Sequence, residues 1–349
     1  MPAQVISDTW DALMSTTWRN QSRLIPDAIS KNKKFYYMIK RSDGWKAAKS
    51  GGVDVILPIR YANKTSQVLG PYDEVDTTPI DGATVSRWTY AIAGSSITIS
   101  DHEVWQNSGE NQIIDLVTLK TSQTVDGITE DFSRRALAGN GENVTTQIAT
   151  PFTENGNTFV EPLPKIVAKS PNTGTVGGLD PATNAYWRNR TADCVDTSFA
   201  TQLNSLELLR LETSKGVGGL PDFHLVDQNV YVWYPKALRS FHQNPSYRET
   251  DIPFEHFYYH GGVLTWDEDM PEWDAGDTVL DTAKGTWLML NTKFIKVIYD
   301  PNANFEPGPF VRPHNQFVKT ALVAWRGAVC TSNRAKHGVL YGIDTTVAA

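Results

Sequence analysis

The chain has 349 residues, 40% hydrophobic and 20% charged, which is enough for a packed core and excludes disorder as its default state. A net charge of −7 argues against a sequence-specific DNA binder, which draws on a basic face. The two cysteines, Cys194 and Cys330, offer neither metal-ligand spacing nor a disulfide framework, so buried thiols in a reducing cytosol are expected.

Residues 1–20 lack a basic n-region and an apolar h-region, so no secretory signal is expected, and no apolar run is long enough to span a bilayer. Trp10, Leu13, Met14 and Trp18 have the spacing of a short amphipathic helix, followed by an extended arm at Pro26. Its two tryptophans fit packing on a neighbouring molecule or on the chain's own core. Lys31, Lys33, Lys34, Lys40 and Arg41 surround Phe35-Tyr36-Tyr37. Basic residues interleaved with aromatics can bind nucleic acid, but a solvated strand or arm face is the ordinary reading.

Val53 to Tyr61 reads as a strand, with Pro58 marking it as an edge or bulge. Tyr61 to Asp81 is polar and turn-rich. Thr84 to Tyr90 then alternates polar and apolar residues, and Ile97 to Ser100 continues the pattern. Two strands around a long polar tip make a projecting hairpin. Such a hairpin is marginal alone in water, so its flanks must pack on something. Residues 108–138 read as one long helix, with Asn107 as cap, Glu110 three residues on, and Ile113, Leu116, Val117, Val125, Ile128 and Phe132 near helical spacing. Gly139-Asn140-Gly141 ends it.

Residues 139–175 are loop-rich, with turns at Asn155-Gly156 and Pro162–Pro164. Thr197–Lys215 is a second helix closed by Gly216, Pro221–Leu225 an extended piece, and Asp227–Phe241 a third helix begun or interrupted near Pro235. Strands are expected at 286–291, 294–299, 317–330 and 339–343. The mixture is α+β, without a fixed-period repeat.

Three groups invite chemistry. Trp266-Asp267-Glu268-Asp269-Met270-Pro271-Glu272-Trp273-Asp274 sets carboxylates between tryptophans, the residue types of a glycosidase, although crowded carboxylates usually form a solvated tip. His256 and His260 are four apart, but their aromatic surroundings favour a strand and no clear third ligand follows. Gly216-Val217-Gly218-Gly219 is too short for a phosphate loop and reads as a turn. No metal, cofactor or catalytic residue is expected.

Two motifs remain. Gly177-Gly178-Leu179-Asp180-Pro181-Ala182-Thr183-Asn184-Ala185-Tyr186-Trp187-Arg188-Asn189 joins a glycine pair suited to φ > 0, an Asp-Pro corner and an aromatic pair beside a guanidinium. Asn333-Arg334-Ala335-Lys336-His337-Gly338-Val339-Leu340-Tyr341-Gly342-Ile343 closes the chain's last strand region. Together they resemble motifs of tailed-bacteriophage major capsid proteins with the Hong Kong 97 capsid fold. The order of arm, hairpin, long helix, mixed domain and final strands extends the resemblance over most of the chain, loosely over 216–285.

The resemblance implies an N-terminal arm and start of a peripheral domain (1–50), an extended loop (51–100), the rest of the peripheral domain with its spine helix (101–165), an axial domain (166–285) and return strands (286–349). It implies a subunit that self-assembles into pentamers and hexamers of an icosahedral head around double-stranded DNA, without sequence-specific DNA binding or a membrane. The implied location is the virion, assembled in host cytoplasm. A separate scaffolding protein, a portal and a decoration protein are the expected partners. Trp10, Trp18, Arg60, Lys64, Arg87 and Trp88 are the candidate contacts between subunits. Gly177, Gly178, Asp180, Asn184, Trp187, Arg188, Asn333, Arg334 and Gly338 are the structural motif, acting by packing within or between subunits. An encapsulin-like compartment, with the same fold and protein cargo, is the near alternative. A carbohydrate-binding or hydrolysing β-rich enzyme is the distant one.

Overall fold

A computed structural model describes residues 33–48, 51–106, 116–140, 150–194, 198–216, 218–240, 254–270 and 284–346. Trp10, Trp18, the Asn107 cap with Glu110 and Ile113, and Glu272 to Asp274 lie outside them. Contacts divide the described residues into a larger unit (within Asn32–Ile92, Phe132–Pro301 and Arg326–Ala349) and a smaller one (within Ala93–Asp131 and Asn302–Trp325).

The larger unit is built on a six-stranded sheet of order β7-β14-β11-β8-β10-β9. Its strands are β7 (Arg190–Asp193), β8 (Phe223–Val226), β9 (Phe257–Tyr259), β10 (Gly262–Trp266), β11 (Lys284–Leu290) and β14 (Gly338–Asp344). The short apolar runs of β8 and β11 are buried along their described side chains, as strands covered on both faces must be. Helices α5 (Phe199–Ser214) and α6 (Gln228–Ser240) supply Leu206, Leu209, Val230 and Tyr234 to one core cluster with Trp287, Met289 and Leu340. Pro235 lies inside α6 and neither starts nor breaks it.

A second sheet has the order β1-β12-β13-β4: β1 (Trp45–Ala47), β12 (Ile295–Pro307), β13 (Val318–Thr331) and β4 (Ala91–Ser100). β4 contains the 97–100 alternation, which therefore belongs to this sheet and not to the hairpin. β11 and β12 sit four residues apart in sequence yet in different sheets. Asn291 makes the switch: its carbonyl accepts from Phe294 N and Ile295 N, and its amide donates to the carbonyls of Gly218 and Leu220.

In the smaller unit Ile97, Ile99, Ile128, Ala321, Val323 and Trp325 are buried, and Phe305 stacks on Trp325. Lys120 binds Glu103 at 2.8 Å, joining α2 (Asp101–Gln106) to α3 (Leu116–Ala138). The 23 residues of α3 span about 35 Å. Gly139, at φ +59, closes it by donating to Arg135 O.

The basic stretch corrects the sequence reading. Lys34–Arg41 is a helix, α1, not a solvated strand or arm. Lys33 and Lys34 are 8% and 2% exposed. Lys33 Nζ binds Glu268 at 2.8 Å and Asp269 at 2.9 Å, while Lys34 Nζ sits 3.8 Å from the centroid of a Trp266 ring. Asp267 in the acidic loop is likewise not solvated: it is 1% exposed and accepts Phe35 N at 3.0 Å, capping α1 from another segment. The sequence reading missed this helix, and the partners that bury its first residues lie more than 230 residues away.

Burial raises the Asp267 carboxyl to about 6, above its unfolded value. Its contribution to stability is therefore present at low pH and lost as pH rises through about 6. We expect the unfolding free energy of the unassembled full-length chain, relative to D267N, to rise by about 1.4 kcal/mol from pH 7 to pH 5. Urea titration at both pH values checks this, and the difference cancels groups common to both proteins.

Candidate assembly site

The hairpin consists of β2 (Asp54–Arg60) and β3 (Ala83–Thr89), paired antiparallel in unbroken register from Asp54↔Thr89 to Arg60↔Ala83. Pro58 is tolerated because each strand of a two-stranded ribbon is an edge. The period of two sorts the side chains. Val55, Ile59, Ser86 and Trp88 turn inward and are buried, whereas Ile56, Pro58, Arg60, Val85 and Arg87 turn outward and are exposed. Residues 63–81 beyond the ribbon are all exposed. Within that tip Lys64 Nζ donates to the carbonyls of Asp76 and Thr78. Arg60 and Lys64 line one open cleft with Asn63 and Asp81.

Trp88 is thus corrected as a contact between subunits. At 2% exposed it is part of the chain's own core, and its Nε1 donates to Ser86 Oγ at 3.1 Å. Its ring lies against Gly177. That glycine has φ +59, and a Cβ there would fall 2.8 Å from Trp88 Cζ2. Gly178 follows at φ +73. The Gly177 carbonyl accepts Arg87 N at 2.8 Å. Further along, Tyr61 stacks on Tyr186 with ring centroids 4.5 Å apart and planes 12° apart. The ribbon's root is held by Arg326, which donates to Gly52 O, lies over the Tyr90 ring and pairs with Asp300 at 2.8 Å.

The loop carrying Gly177 and Tyr186 is locked from within. Asp180 accepts Ala182 N on its side chain, and its carbonyl accepts both the N–H and the side-chain amide of Asn184. Arg188 donates to Pro181 O at 2.7 Å and Ala182 O at 2.9 Å. Trp187, 1% exposed, donates to Val176 O at 2.8 Å. Among the described residues no cation lies over its face; the guanidinium of Arg188 ties down carbonyls instead.

Arg334 joins this loop to the tail motif, so the two motifs pack within one chain. Its fully buried guanidinium donates to the carbonyls of Ile166 (2.7 Å), Trp187 (3.2 Å) and Lys165 (3.4 Å) and to Asn189 Oδ1 (3.1 Å). No carboxylate is among these acceptors. Burial lowers its pKa to about 10, so it stays charged at neutral pH. Asn333 caps the short 3₁₀ turn Arg334–Lys336 by accepting Ala335 N. Lys336 donates to the carbonyls of Ser214 and Lys215 at the C-terminal end of α5. His337, fully buried and lowered to about 3 chiefly by burial, is neutral; Nδ1 accepts Asn291 N and Nε2 meets Thr331 Oγ1. A Cβ on Gly338 would fall 2.8 Å from Thr213 Cγ2, so only glycine lets β14 approach α5 this closely.

Arg326, Tyr61 and the roles of Lys336 and His337 were missed in the sequence, although the last two stand inside the tail motif. His256 and His260 do not converge: His256 Nδ1 meets Phe254 O, while His260 turns at φ +46 and meets Glu207 at 2.7 Å.

No protein-family model matches the chain, and no curated protein matches it in sequence. Solved structures do match in fold. The asymmetric unit of the cyanophage A-1(L) capsid aligns with a TM-score of 0.62 and 9% identity, over 92% of this chain and 96% of that one. The holo-SrpI encapsulin complex of Synechococcus elongatus PCC 7942 gives 0.57 and 12% over 94% and 93%. The capsid of a native GTA particle gives 0.57 and 8% over 92% and 93%. The chain has the Hong Kong 97 capsid fold.

Replacing Arg334 by Met leaves the carbonyls of Lys165, Ile166 and Trp187 without this donor around a fully buried side chain, while Asn189 Oδ1 keeps only Ala168 N. We expect R334M to cost roughly 3–5 kcal/mol of unfolding free energy, against about 1 kcal/mol for R188A, which is half-buried and bonds one carbonyl, that of Ala182, at the exposed surface. Urea unfolding of both variants measures the difference.

Proposed function

We propose that the chain is a major capsid protein that assembles into pentamers and hexamers of an icosahedral phage head around double-stranded DNA. The observation that carries this reading is the hairpin's outward face. Ile56 and Val85, 56% and 40% exposed, flank Pro58 between the cations Arg60 and Arg87, on a ribbon whose other face is already buried. Covering about 100 Å² of such apolar surface yields roughly 2.5 kcal/mol. That is below the ~4 kcal/mol of even a millimolar complex. One hairpin therefore does not hold a dimer. Many neighbours acting together do hold a shell, because each contact raises the effective concentration of the next.

The fold shared with capsids supports this reading, as do the two motifs that resemble those of phage major capsid proteins. On it, residues 51–100 carry the extended loop, whose ribbon ends at Thr89 before β4 joins the second sheet, with 1–50 and 101–165 the arm and peripheral domain, 166–285 the axial domain and 286–349 the return strands. A scaffolding protein, a portal and a decoration protein are the partners it calls for. Its seat is the virion, with assembly in host cytoplasm. The role is structural and involves no catalysis. Likeness to an encapsulin supports a second reading, a compartment enclosing protein. Nuclease-protected double-stranded DNA recovered from purified particles supports the head, and a protein cargo without DNA supports the compartment.

Arg60 and Arg87 have no core role, so reversing their charge tests assembly apart from folding. R60E/R87E is expected to yield soluble subunits or incomplete shells in electron micrographs, with thermal unfolding within about 2 °C of the parent. Normal shells from the double variant contradict the assigned contacts.

A further inference from the structure

A two-stranded ribbon does not hold its own direction in water, so the surfaces it leans on must fix where it points. The root contact through Arg326 is one such surface, but a single attachment leaves the ribbon free to swing. Two more lie further out. Trp88 sits on Gly177, with Arg87 N bonded to Gly177 O at 2.8 Å. Tyr61 stacks on Tyr186 just past the end of β2. By register Trp88 faces Val55, six residues from Tyr61, so these attachments lie about 20 Å apart along the ribbon. Both are presented by the self-locked 177–188 loop.

We propose that this loop is a socket that fixes the direction in which the hairpin leaves its subunit, with Gly177 as the positioning residue, and that this direction sets the spacing of neighbouring copies. The second part rests on the shell reading above. The loop then has two faces: one receives Arg334 and ties the loop to the subunit core, and the other aims the hairpin.

The two glycines separate a socket from an ordinary turn. Both have positive φ, so alanine strains the backbone at either. They differ in what a methyl meets. At Gly177 it falls 2.8 and 3.0 Å from Trp88 ring atoms and 3.3 Å from Ser86 Cβ, whereas at Gly178 the nearest atom is Arg87 Cβ at 3.7 Å, an ordinary contact. G177A unseats Trp88, and G178A does not.

The test compares the full-length parent, G177A and G178A by hydrogen–deuterium exchange and by electron microscopy of assembly products. G177A is expected to speed exchange in 54–60 and 83–89 by about tenfold or more beyond G178A, which carries the backbone strain without the clash, with 286–290 and 338–344 still protected. G177A is also expected to give particles of altered size or open sheets. Equal effects of the two variants, or loosening spread evenly through the subunit, overturn the socket. A loosened hairpin with shells of parental size overturns the link to spacing. If G177A does not fold, Y61A removes an exposed ring at the outer attachment; unchanged exchange at 58–60 and 83–85 overturns the proposal there. Should the parent itself form no particles, the shell reading fails while the exchange data still decide the socket.

Discussion

The fold depends on a buried cation that, among the described residues, is held by neutral acceptors and not by a carboxylate. Arg334 is fully buried, and its fork is satisfied by three carbonyl oxygens and one side-chain amide. Removing a guanidinium from water costs several kcal/mol, so the arrangement persists only while every acceptor stays in place. Those acceptors belong to the 165–166 turn and to residues 187 and 189. The tail therefore dictates where the 177–189 loop sits. That loop in turn receives Trp88 and Tyr61 of the hairpin. Lys336 and His337 extend the same logic to the end of α5 and the end of β11.

Local physics made much of this legible. Both hairpin strands were legible, the second from its period-two alternation, and the glycines read as a turn (Gly177, Gly178) and as a helix end (Gly216) are indeed left-handed. The motif around Arg334 was visible as residues, but its partners were not, because carbonyl groups carry no sequence signal. Lys33, Lys34 and Asp267 were misread for a related reason. A charge read alone is assigned to solvent, and only the fold brings these residues together across more than 230 positions. Trp88 was placed outside because its strand projects. The period of two that identified the strand also puts every second residue on the inner face, and Trp88 is one of those.

The same sorting of faces links fold to assembly. An inner face that needs Gly177, Ser86 and Trp88 in register leaves no freedom to slip by one residue, since a slip would bury Arg87 and expose the indole. The register that secures the hairpin at home thereby fixes which residues are offered outward. Ile56, Pro58, Val85 and the two arginines follow from the pairing alone. A projection with a fully specified outer face makes physical sense when another molecule reads that face.

The most direct measurement is electron microscopy of the purified full-length protein across a concentration series. The account predicts closed particles of uniform size, assembled from many copies. A preparation that stays as single compact subunits at the highest concentration, with the hairpin's outer face still exposed to solvent, contradicts it.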